Sequence, residues 1–278
     1  MKITKILVAL SFLFAVSTAN AGELSVTGSI QATYQSEVDR TTGNPLGLDR
    51  ELTFSGSTEL DNGMTVSVMQ DSSDTLTFGD SLITFGNVGG LVDVYIGSDG
   101  SPVDAIDDVT PSAFEEANGA GSGSYNDIGD AAGDTGIGFK FSVPVLGAVN
   151  YKYVPKMDGA ENTEKAASGD TNAAVGSMYE VSIKTALGDL PVVGSYLDGA
   201  TLTTGFAEHD HSTVANTDDA FDVTAALTYS TGPFSFGVQK KVHNEGEGTA
   251  ATTDAVFYKD TIIGVACLLY TSPSPRDP

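Results

Sequence analysis

The sequence predicts an all-β protein whose antiparallel strands close into a barrel, and three observations support this prediction. Apolar or small residues alternate with polar ones from Leu24 to Tyr34, which is the period of a strand with one apolar and one polar face. About twelve such stretches recur along the chain. The joints between them alternate between long and short, which is typical of an up-and-down barrel with an apolar exterior and a polar interior.

Each strand is placed by its own alternating run, and each short joint by turn residues. Asp61-Asn62-Gly63 indicates a tight hairpin, and Thr231-Gly232-Pro233 indicates another turn. The joints after strands one, three, five, seven, nine and eleven are long and polar, whereas those after two, four, six and ten are short. The strands are expected at residues 24–36, 52–60, 64–68, 81–86, 91–97, 137–143, 149–153, 179–187, 202–206, 221–229, 234–238 and 255–266.

The first residues have the pattern of a secretory signal peptide. Lys2 and Lys5 precede an apolar run that is too short to span a bilayer, and Ala19-Asn20-Ala21 supplies a small-x-small cleavage site. Residues 1–21 are therefore expected to be removed. No later run reaches the ~18 apolar residues of a transmembrane helix, so any crossing of a membrane is expected to use strands.

The last residues are expected to be foreign to the fold. Residues 267–277 resemble one translated reading frame of a transposase adapter used in sequencing libraries. The barrel domain is therefore assigned to residues 22–266 and expected to be incomplete, with residues 267–278 as a non-native tail. This assignment removes Cys267, the only cysteine, as a disulfide partner or nucleophile.

The charge balance is strongly acidic. Residues 22–266 carry ten basic and thirty-six acidic side chains, a net charge near −26. This balance disfavours nucleic-acid binding and favours attraction of cations. The regular alternation, with thirteen Phe and ten Tyr, disfavours disorder.

The chain resembles the Gram-negative general porins, especially the porin-like proteins of alphaproteobacteria. The resemblance rests on residues 24–28 (LSVTG), residues 57–66 (STELDNGMTV) and residues 91–106, which are similar to the entry into the family's third loop. It implies a sixteen-stranded transmembrane β-barrel, usually a homotrimer in the outer membrane, whose third loop folds inward. About twelve strands are present, so the resemblance implies that about four, including the closing strand, are missing.

The longest joint, residues 98–136, is the predicted site. It carries nine carboxylates and no Lys or Arg, and we expect Asp104, Asp107, Asp108, Glu115 and Glu116 to line the constriction of a water-filled channel. Lys140, Lys152 and Lys184 lie on the polar phase of their strands and are the expected basic residues of the lumen. General porins often place several arginines opposite the acidic third loop, which produces an electric field across the channel. Here Arg40 and Arg50 are the only arginines of residues 22–266, and both lie near a loop in this interpretation, so the resemblance does not extend to that field.

The interpretation is a non-enzymatic channel for passive diffusion of ions and small hydrophilic solutes, weakly selective for cations. A sugar-type substrate-specific channel and a non-conducting structural or adhesion barrel remain as alternatives. A barrel phospholipase is disfavoured because all three histidines fall in predicted loops. No cofactor or structural metal is expected. Calcium at the acidic loop is left open, and His209-Asp210-His211 is a weak candidate for a metal site.

Overall fold

A single β-sheet dominates the computed structural model, which describes residues 24–34, 46–72, 78–111, 135–155, 176–209, 220–244 and 257–267. Twelve strands are hydrogen-bonded in chain order, each to its neighbours in sequence. The predicted all-β, antiparallel fold with about twelve strands is confirmed. The chain divides into two compact units, residues 1–95 and 96–278, which are described separately.

Eight of the twelve strands are longer than the sequence predicted, and most of these extend at the ends beside the long joints. Short 3₁₀ turns at Asp104–Ile106, Leu187–Asp189 and Gly194–Tyr196 are the only helical elements of the described residues. The strands are β1 (Leu24–Tyr34), β2 (Leu46–Glu59), β3 (Thr65–Ser72), β4 (Phe78–Val88), β5 (Val92–Gly97), β6 (Gly136–Val143), β7 (Gly147–Val154), β8 (Met178–Ala186), β9 (Ala200–His209), β10 (Ala220–Thr231), β11 (Phe234–Asn244) and β12 (Phe257–Cys267).

In the first unit, β2 begins earlier than predicted. It starts at Leu46, opposite Tyr34, and the ladder with β1 is unbroken from there to Gly56. Arg50 therefore lies within β2, opposite Ile30, ahead of the predicted start of that strand at position 52. The polar residues before position 52 hid this part of the strand, because backbone pairing with β1 continues where the side-chain alternation weakens. Arg40 lies outside the described residues.

In the second unit, the two faces of β6–β12 differ sharply. Leu227 on β10 is 45% exposed and Phe236 on β11 is 44% exposed, and these residues share a face with Val149, Val181 and Ile263 of the other strands. We call this side the apolar face. The opposite side, the polar face, carries Lys152, Glu180, Asp222, Thr224 and Gln239, all almost completely buried. Many large apolar residues are thus exposed on one face and many polar residues enclosed on the other, the reverse of the arrangement in water-soluble proteins.

Two of the three histidines lie in strands, which corrects their predicted placement in loops. His209 is the last residue of β9, and His243 lies in β11. His243 Nδ1 forms a short contact with Asp222 Oδ1 of the neighbouring strand, and its ring stacks on Tyr258 of β12 at 5.9 Å between centroids. These cross-strand contacts extend the ladder through residues that look polar in the sequence. His211 lies outside the described residues.

Within the described residues, no helix is long and apolar enough to cross a membrane.

The predicted hairpin at residues 61–63 is confirmed and supports a test of turn chemistry. Gly63 has φ +79°, and Asn62 Oδ1 accepts a hydrogen bond from the Met64 N–H at 3.1 Å. We expect Gly63→Ala to lower the free energy of unfolding by about 1 kcal/mol, because a Cβ is disfavoured at positive φ. Urea-induced unfolding measures this change. Gly63→Asn is the control and should cost less, since Asn tolerates this conformation; equal stability of the alanine variant and the wild type would contradict the argument.

Candidate functional site

The chain after β5 forms a short segment that lies on the polar face of β7–β12. We call residues 98–111 the crossing segment. Gly100 has φ +84° and donates its N–H to Asp99 Oδ1 at 2.6 Å, which turns the chain as it leaves the strand. The 3₁₀ turn Asp104–Ile106 follows, and Ser101 Oγ accepts the Asp104 N–H at its start. Local hydrogen bonds therefore give the segment a defined shape before it meets the sheet.

Lys152 and Glu180 hold the beginning of the crossing segment. The buried Lys152 Nζ donates to the carbonyl oxygens of Ser98 at 2.9 Å and Asp99 at 3.3 Å. Glu180 Oε2 accepts the Ser101 hydroxyl at 2.7 Å and the Val103 N–H at 3.5 Å. Lys152 and Glu180 are register partners on β7 and β8, so two buried opposite charges lie side by side. Burial of these charges is tolerable because each binds polar groups of the segment.

Gln239 and Lys241 of β11 hold the end of the 3₁₀ turn. The buried Gln239 Nε2 donates to the carbonyl oxygens of Ile106 and Asp107, both at 2.8 Å, and lies 2.9 Å from Thr224 Oγ1. Lys241 Nζ lies 3.6 Å from Asp107 Oδ2. Four side chains from three strands thus bind the segment, mostly through its main chain.

Apolar contacts and glycines also help the crossing segment to pack on the sheet. Val103 joins Val154, Met178 and Ala207 in a buried cluster beneath the segment. At Gly205 an added Cβ would lie 2.6 Å from Ile106 Cδ1, and at Gly264 it would lie 2.5 Å from the Pro111 carbonyl oxygen. Glycine therefore leaves the room on β9 and β12 that the segment occupies.

The predicted acidic residues divide into three groups. Asp104 and Asp108 are exposed on the crossing segment. Asp107 is partly covered, with 21% of its side chain exposed beside Lys241. Glu115 and Glu116 lie outside the described residues. Asp104 and Asp108 are therefore the most exposed carboxylates of the crossing segment.

The three predicted basic residues all lie on the polar face, in different surroundings. Lys152 is completely buried and binds carbonyl oxygens of the crossing segment, so its charge serves the main chain. Lys140 is exposed opposite Asn150, and Lys184 is exposed opposite Ala148. Their partners on β7, Asn150 and Ala148, lie closer to the turn at residues 144–146 than Lys152 does. Lys152 itself lies opposite Glu180 of β8. A role of Lys140 and Lys184 opposite the acidic residues remains a prediction.

Sequence reasoning missed Glu180, Gln239 and Lys241, the other residues that bind the segment. It also missed the pair formed by the buried Asp222 and the partly buried His243. Large polar side chains at polar-phase positions were the available signal. That signal was weak, because the same phase also carries exposed polar residues such as Lys140. In the described ranges there is no group of three or more His, Cys, Asp or Glu residues arranged to hold a metal ion.

Comparison with known proteins found a distant structural similarity and no match to a family profile or a curated protein. Among solved structures, the chain is similar to a triple mutant of the porin of Rh. blastica, with 15% sequence identity and a TM-score of 0.40. The similarity covers 84% of this chain and 88% of the porin chain.

Gln239 offers a direct test of how the segment is held. We expect Gln239→Leu to lower the free energy of unfolding by about 1–3 kcal/mol, because the carbonyl groups of Ile106 and Asp107 lose their buried donor. Limited proteolysis of the folded variant should also cleave within residues 98–111 faster than in the wild type. Thr228→Val, on the same face but without a hydrogen bond to the described part of the segment, is the control. Wild-type stability and cleavage in the leucine variant would contradict the anchoring role.

Proposed function

We propose that this chain is the barrel of an outer-membrane diffusion channel of the porin type in a Gram-negative bacterium. The channel passes ions and small hydrophilic solutes and has no catalytic group. The observation that carries the proposal is the inverted distribution of polarity on β6–β12, with exposed apolar side chains on one face and enclosed polar ones on the other. A sheet of this kind suits contact with lipid on its apolar face and with water on its polar face.

The crossing segment supplies the narrow part of the proposed channel. It lies on the polar face, which in this proposal lines the lumen, and it is bound to β7, β8 and β11 by hydrogen bonds. A segment held in this way reduces the cross-section of a pore and keeps its side chains at fixed positions. Solute size would then be set by the position of the segment.

Weak cation selectivity follows from which charges the segment leaves accessible. Lys152 and Lys241 are buried against the segment, whereas Asp104 and Asp108 remain exposed. A water-filled constriction lined by carboxylates has a negative potential, so it concentrates cations and repels anions. Glu115 and Glu116 belong to the same acidic joint and are proposed to add to this potential.

The proposal includes the surroundings of the channel. The apolar face would meet outer-membrane lipid, and the protomer would assemble into a homotrimer, as its resemblance to general porins implies. The segments assigned as signal peptide (residues 1–21) and non-native tail (residues 267–278) remain predictions, as does the absence of a resident cofactor. Cys267, the first residue of that tail, is the last residue of β12 and pairs with Phe234.

Reversal potentials in planar bilayers under a KCl gradient test the function and its selectivity together. We expect the wild type to conduct with K⁺ preferred over Cl⁻. In the double variant Asp104→Asn/Asp108→Asn the preference should fall toward equality, because two exposed carboxylates leave the constriction. The matched control is Asp189→Asn, which removes an exposed carboxylate from the turn after β8 and should leave the preference unchanged.

Two results would overturn the proposal in different ways. A preference of the wild type for Cl⁻ would reject the acidic constriction while leaving a channel. Folded protein that inserts into bilayers without conducting would reject the channel and favour a structural or adhesion barrel. Conductance that a sugar blocks at low concentration would favour a substrate-specific channel instead.

A further inference from the structure

The apolar face of β6–β12 carries few charges. Among its described residues only Glu208, Lys240 and Lys259 are charged. Glu208 accepts a hydrogen bond from the Tyr179 hydroxyl at 2.5 Å. The two lysines are exposed, and within the described residues neither has a carboxylate within 4 Å. Positive charge at these positions therefore has no carboxylate partner among the described side chains.

Lys240 and Lys259 are close neighbours across the β11–β12 ladder. Lys240 lies opposite Thr261, and Val242 lies opposite Lys259, so the two lysines are diagonal neighbours on one face. Diagonal positions of an antiparallel pair are roughly 7–8 Å apart, within reach of two long side chains that bind one group. Glu208 is two strands away on β9, a separation of about 10 Å between strand axes. The local charge of this pair is therefore positive on a chain whose net charge is −24.

Aromatic residues lie beside this lysine pair, near the end of β11 and the start of β12. Phe257 is the first residue of β12, and its ring meets that of Phe221 at 6.2 Å in an edge-to-face arrangement. Lys259 Nζ lies 5.8 Å from the centre of the Phe257 ring. Aromatic rings mark the level of lipid headgroups on membrane proteins, and lysines beside them reach the same level.

We propose that Lys240 and Lys259 together bind the phosphate group of an anionic membrane lipid in the leaflet beside the long joints. The inference rests on the proposed membrane location of the apolar face. A phosphate carries the charge and the acceptor oxygens that two lysine ammonium groups require. It also satisfies two adjacent positive charges that would otherwise repel each other beside an apolar surface. The lipid's acyl chains would lie on the exposed Ile263 and Val238 below the pair.

The test is a titration of the detergent-solubilised full chain with phosphatidic acid, and with phosphatidylcholine as the zwitterionic probe, followed by native mass spectrometry. The wild type should bind phosphatidic acid more tightly than phosphatidylcholine. The double variant Lys240→Gln/Lys259→Gln should lose roughly tenfold in affinity for phosphatidic acid. The matched control Lys140→Gln/Lys184→Gln removes the same charge from exposed positions of the polar face and should bind like the wild type.

Four results would overturn the inference, and two of them would assign the lysines a different role. Equal wild-type affinity for both lipids, or an equal loss in the control variant, overturns it outright. Saturable binding of inorganic phosphate that disappears in Lys240→Gln/Lys259→Gln, without lipid preference, assigns a site for free anions instead. A change of oligomer mass with unchanged lipid affinity assigns a subunit contact instead.

Two further measurements keep the test independent of folding and of channel function. The charge-conserving variant Lys240→Arg/Lys259→Arg should retain the preference for phosphatidic acid. If the folded arginine variant loses this preference, the proposal is contradicted. Conductance of Lys240→Gln/Lys259→Gln in planar bilayers should keep the wild-type ion preference, since both lysines lie on the face away from the crossing segment. A conducting wild type without lipid preference rejects this inference alone, whereas folded protein that does not conduct rejects the proposed channel.

Discussion

The backbone of the crossing segment has to find hydrogen-bond partners on a sheet whose own backbone groups are already paired. A chain laid on a β-sheet cannot bond to the strands' main chain, so strand side chains have to supply the donors and acceptors. Lys152 and Gln239 supply donors to four carbonyl oxygens, and Glu180 accepts a hydroxyl and an N–H. These residues are polar and long enough to reach the segment, and they are completely buried because the segment covers them. The polarity of the enclosed face and the position of the segment therefore depend on each other.

This dependence explains why buried charge is tolerated here. An isolated buried lysine or glutamate would be strongly destabilising, and a pair alone does not reliably repay the loss of hydration. Lys152 and Glu180 are opposite in register, and each also binds the main chain or a hydroxyl of the segment. The same groups fix the distance between the segment and the sheet. Apolar replacements could fill the space, but they would leave the carbonyl groups of the segment without donors.

The sequence predicted local features well and non-local ones poorly. Alternating runs such as the one from Leu24, and turn residues such as those at Gly63, were sufficient to predict about twelve strands, because both signals are contained within a few neighbouring residues. The end of β11 was missed, since residues 240–244 are polar except for Val242 and are held in the ladder by partners on β10 and β12. The acidic joint was recognised from composition, but the pairing of Asp107 with Lys241 was not. That pairing, like the bond from Gln239 to Ile106 across 133 positions, depends on how distant strands align.

Lysine placement connects these conclusions, because basic residues are scarce in a chain with 13 of them against 37 acidic ones. Lys152 and Lys241 are enclosed against the crossing segment, so they contribute structure and little accessible charge. Lys240 and Lys259 lie on the opposite face, where their charge cannot act on the polar side. None of these four lysines therefore presents an accessible charge on the polar face, while Asp104 and Asp108 stay accessible. The negative potential expected there thus follows from the positions of the lysines as much as from the number of carboxylates.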